Sequence, residues 1–111
     1  MTNRELIHTE QREGFDIAFY VLPEDESPRG QFMLEGGSDD EEMIEAIQRG
    51  DFAWFCAEVT ASKCGLELAG DYLGACCYES AQAFVAQGDY YPDMVATVLE
   101  QAHAKLLELA R

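Results

Sequence analysis

The chain predicts an α+β domain: an antiparallel sheet of four or five strands, built as two hairpins, with about three helices packed on one face. Three observations lead there. Residues 5–22 and 51–78 are runs of β-favouring residues, each folding back about a turn that contains Gly. Residues 39–49, 81–87 and 92–110 carry helix start and stop signals around apolar side chains at three- and four-residue spacing. Finally, 48% of the 111 residues are hydrophobic, enough for one domain to bury its own core despite a strong charge. The expected order is hairpin, short strand, helix, hairpin, short helix, long helix.

In the first hairpin, Arg12-Glu13-Gly14 makes the turn, with Gly supplying a positive φ. Beyond it Phe15, Ile17, Phe19 and Val21 point one way, and Asp16, Ala18, Tyr20 and Leu22 the other. The second set is too apolar for a fully open face, so part of that side is expected to be covered. Residues 23–30 form a loop with two prolines, a Gly and three successive acids, and Gln31 to Glu35 read as a short third strand ended by Gly36-Gly37.

Ser38-Asp39-Asp40-Glu41 has the capping-box pattern, in which hydroxyl and carboxylate each satisfy an orphan backbone N–H. Asp39 to Glu42 also put negative charge at the positive end of the helix dipole. Met43, Ile44 and Ile47 form the apolar stripe of helix 39–49, and Gly50 stops it.

The hairpin 51–78 holds the only Trp and all four Cys. Ala53, Phe55, Ala57 and Val59 share one face of its first strand; Phe52, Trp54, Cys56 and Glu58 share the other. Ser62 to Gly65 turn the chain, Leu66 and Leu68 begin the return, and Gly70 marks a bulge or a close backbone approach. With apolar residues on both faces, this hairpin is expected in the middle of the sheet. Ser80 caps helix 81–87, which presents Phe84 and Val85 and ends at Gly88. Pro92 suits the first turn of helix 92–110, whose Val95, Leu99, Ala102, Leu106 and Leu109 should cover the sheet.

Charge is the strongest functional signal. The chain has 22 Asp and Glu against seven Lys and Arg, a net charge of -15. Such a field repels nucleic-acid phosphates and anionic membranes, so the expected partner is a basic protein, with no direct nucleic-acid or membrane binding. The acids concentrate at Glu24, Asp25 and Glu26 in the loop and at Asp39, Asp40, Glu41, Glu42 and Glu45 on the first helix. Those eight residues are the candidate contact set. The bland alternative is a solvated helix face and loop that keep a small protein soluble.

Catalytic and metal readings are weaker. Cys76 and Cys77 with His103 could suggest a thiol and its base, but an acidic environment raises a thiol pKa and opposes activation. Cysteines at the end of an apolar strand are usually small core residues. Cys56, Cys64, Cys76, Cys77, His8 and His103 form no paired zinc spacing, and the acids of the first helix lack a calcium-loop pattern. No phosphate loop, GxSxG or HExxH occurs, so neither enzymatic activity nor a cofactor is expected.

No motif of a named family is present. In size, acidity and compactness the chain is similar in type to the small anti-restriction and anti-CRISPR proteins of phages and plasmids. The resulting expectation is a cytoplasmic, acidic interaction module that mimics nucleic acid and inhibits a basic nucleic-acid-handling protein. Two other readings stand beside it. One is a ligand-binding or enzymatic domain with an aromatic pocket of Trp54, Tyr72 and Tyr78 between sheet and helices. The other is a homodimer joined through the second sheet face, carrying Trp54 or Tyr20.

Overall fold

In the computed structural model, residues 4–24 and 39–109 are described, with 39–43 described for their backbone alone. The elements run β1 (Glu5–Arg12), β2 (Phe15–Leu22), α1 (Asp39–Arg49), β3 (Ala53–Lys63), β4 (Leu66–Tyr78), α2 (Ala81–Gln87) and α3 (Tyr90–Leu109). The four strands form one antiparallel sheet in the order β1-β2-β3-β4. The α+β class and the element order are as the sequence predicts; residues 31–35, expected as a strand, lie outside the described residues.

Two-residue turns set both hairpin registers. Arg12 pairs with Phe15 and Lys63 with Leu66. Between them, Glu13-Gly14 (φ 54° and 84°) and Cys64-Gly65 (φ 53° and 79°) are left-handed at both positions. That is the type I′ geometry that matches strand twist. Gly carries the second position without strain, whereas Glu13 and Cys64 adopt it against the cost of their Cβ atoms.

Of the hairpin 51–78, expected in the middle of the sheet, β3 is interior, but among the described residues β4 is not. β2 pairs with β3 from Asp16–Ser62 to Leu22–Cys56, which leaves β4 as an edge. An edge strand tolerates the exposed Leu66 and Tyr72 that a central one would not. Nor does Gly70 mark the bulge, since it pairs in register with Thr60. The ladder slips on either side of it: Leu68 is skipped between Ala69 and Glu67, and Gly74 and Ala75 both lie opposite Cys56. Ala75 takes a φ of 57° there, the sharp bend a bulge needs.

One face of the sheet carries the core. Phe15, Ile17, Phe19, Phe55, Ala57, Val59, Ala61 and Cys76 pack against Phe84 of α2 and Tyr91, Met94, Val95, Val98, Leu99 and Ala102 of α3. Phe84 is fully buried, stacked on Phe19 at 5.1 Å between centroids and edge-on to Tyr78 at 5.1 Å and Phe55 at 5.9 Å. The one-face packing holds for α2 and α3; the buried Ile44 and Ala46 of α1 are not part of this cluster. Along α3 the stripe fades towards the C-terminus: Leu106 is half-buried and Leu109 is exposed rather than covering the sheet.

Helix ends follow local chemistry. α1 closes with Gly50 at φ 86°, Gly50 N–H donating to Ile47 O at 3.1 Å and Asp51 N–H to Ala46 O at 2.9 Å, the paired bonds of a Schellman stop. Ser80 Oγ accepts from Ala83 N–H at 3.1 Å to start α2. Gly88 ends α2 for a different reason: its φ is -78°, and a Cβ there would lie 2.5 Å from Phe84 O. α3 begins at Tyr90, two residues before the expected start; Pro92 is tolerated because first-turn N–H groups have no helical partner.

Candidate protein-interaction surface

The face opposite α2 and α3 is built from alternate residues of all four strands. One cross-strand row runs Leu6, Tyr20, Glu58, Tyr72; the next runs Thr9, Ala18, Thr60, Gly70; a third runs Gln11, Asp16, Ser62, Glu67. Glu58 stands at the centre of the first row and is only 3% exposed. Its Oε1 accepts from Arg4 Nη1 at 3.1 Å and its Oε2 from the Tyr72 hydroxyl at 2.7 Å. The same guanidinium lies 3.8 Å from Glu67 Oε1 and 4.0 Å over the centre of the Tyr20 ring. The bond to Glu58 raises the pKa of Arg4 and, through the carboxylate that it faces, that of the Tyr72 hydroxyl. Sequence reading placed Glu58 on this face as one of several strand side chains. What marks it is the pairing with a residue 54 positions away, which no local spacing reveals.

The small middle row leaves a trough of about 430 Å³ beside Tyr20, lined by Thr9, Gln11, Asp16, Tyr20, Thr60 and Ser62 among others. Asp16 Oδ1 accepts from Gln11 Nε2 at 3.0 Å at its rim.

A second polar group joins the β1–β2 hairpin to α3. Glu10 Oε2 accepts from the Tyr91 hydroxyl at 2.8 Å and lies 2.9 Å from His8 Nε2; Glu10 Oε1 accepts from Arg12 Nε at 2.7 Å. Burial works against the Glu10 charge, yet Tyr91, His8 and Arg12 together hold its carboxyl below the ordinary range. Tyr91 is pushed far up by burial and by Glu10. Nearby, His103 Nε2 is 2.9 Å from Glu13 Oε1, and its ring meets Phe15 edge-on at 4.8 Å. A cavity of about 390 Å³ lies between these groups and α3. Because the side chains pair with one another, their effect is to clamp hairpin to helix.

Of the predicted contact residues, Glu45 is exposed on α1, 3.9 Å from Arg49. Asp39, Asp40, Glu41 and Glu42 fall on the first turns of α1, where the backbone is helical as expected. Asp25 and Glu26 lie outside the described residues, as does the Ser38 cap. Glu24 has an internal role: its carboxylate accepts from the N–H of Ala75 at the β4 bulge.

The thiol–imidazole pairing does not form. Cys76 is buried, its Sγ directed at Leu73 O at 3.3 Å, while His103 is engaged with Glu13. Burial pushes the Cys76 thiol up to about 11, far from a thiolate at neutral pH. Cys64 is exposed in the β3–β4 turn, within the Ser62 to Gly65 stretch expected to reverse the chain. Nor do Trp54, Tyr72 and Tyr78 share a pocket. Tyr78 packs on Phe84 in the core, whereas Tyr72 stands 61% exposed on the far face. Among the described residues, no three His, Cys, Asp or Glu side chains gather as metal ligands, and no helix is long and apolar enough to cross a membrane.

The fold and this surface define the chain as an acidic α+β domain whose second sheet face is largely polar among the described residues. No protein-family model matches it, and neither a curated protein nor a solved structure is detectably similar.

Proposed function

We propose that this chain is an acidic protein-interaction module that occupies a basic, phosphate-binding surface of a nucleic-acid-handling protein and so inhibits it, as anti-restriction and anti-CRISPR inhibitors do. The observation that carries the reading is the net charge of -15 on a chain whose described residues still form an apolar core. Among the described residues, the cations are engaged within the chain. Arg4 pairs with Glu58, Arg12 with Glu10, Arg49 with Glu45 and Asp51, and Lys105 with Glu108. Lys63 lies 5.2 Å over the Phe15 ring. Acids on rigid elements, such as Glu45 on α1, Asp16 and Glu67 on the sheet and Asp93 and Glu100 on α3, remain exposed. Fixed charge of one sign steers a basic partner and loses its pull as salt rises.

Capture from host lysate at low salt, repeated at about 0.5 M where screening shortens to a few ångströms, tests the proposal. A nucleic-acid-handling protein retained first and released second is the expected result. Reversing Asp39, Asp40, Glu41 and Glu42 to Lys together should abolish its capture. Retention that ignores both salt and charge reversal overturns the reading.

A further inference from the structure

We draw no further inference here: the strongest candidate, the cavity of about 390 Å³ between the β1–β2 hairpin and α3, belongs to the hairpin–helix clamp already described, since Arg12 and His103 on its wall already meet Glu10 and Glu13 and nothing in the structure selects a ligand for it.

Discussion

Replacing Arg4 by alanine leaves the Glu58 carboxylate, with a side chain only 4% exposed, without its cation. Breaking a fully buried ion pair costs about 3–5 kcal/mol, because the remaining charge has lost its partner and cannot regain water. The Arg4 side chain is 33% exposed, so water enters where the guanidinium stood, and the Tyr72 hydroxyl still donates. These two effects bring the expected loss to about 2 kcal/mol, or roughly 10 °C in melting temperature for a domain of this size. Urea unfolding followed by fluorescence of the single Trp54 measures it, with an unchanged slope showing that the unfolded reference has not moved. The decisive variant is the double replacement Arg4→Ala, Glu58→Leu. It removes the buried charge as well as its partner and should recover most of the loss. A double variant as unstable as the sum of its two singles would refute the reasoning, because the cost would then lie in lost packing and not in an orphaned charge.

Glu10 supplies a pH dependence. Its folded carboxyl lies below the ordinary 4.5, so its bonds stabilise the fold fully above that value and cease to do so as pH falls through the lower folded one. The parent should therefore exceed Glu10→Gln by about 1 kcal/mol at neutral pH and converge with it in acid; a gap constant with pH contradicts this. Thiol labelling should be ordered by access: Cys64 reacts first, and Cys76, buried and with its pKa at about 11, reacts only on unfolding. Early labelling of Cys76 by mass spectrometry would contradict its placement. Cys64→Asn should raise stability by about 0.5–1 kcal/mol, since Asn accepts the left-handed conformation more readily; a lowered melting temperature would show that the thiol makes an unrecognised contact.

The parts of the fold legible in the sequence were those governed by near neighbours. Helix 39–49 was bounded by an acidic first turn and Gly50, and helix 81–87 by Ser80 and Gly88, and both hold to the residue. The alternation of Phe15, Ile17 and Phe19 correctly identified the buried face of β2. Strand order was not local. Apolar residues on both faces suggested that β4 was central, yet its place is decided by β2 pairing with β3 across the long connection between them. Gly70 illustrates the same limit: a Gly in a strand suits a bulge, but pairing puts it in register and bends the chain at Leu68 and Ala75 instead. The acidic character of the surface was legible from composition. The Arg4–Glu58–Tyr72 group and the Glu10–Tyr91 clamp were not, because their members meet only after the sheet and α3 have assembled.

The bulges have a consequence for the protein as a colloid. Both outer strands depart from a straight ladder, β1 at Ile7 and β4 at Leu68 and at Gly74–Ala75. A bent edge is a poor template for a second strand. Near neutral pH mutual repulsion at -15 opposes edge-to-edge approach of copies, so the bends matter less there. Close to the isoelectric point, about 4.2, that repulsion vanishes, and the shape of the two edges becomes the barrier between dissolved protein and strand-paired precipitate.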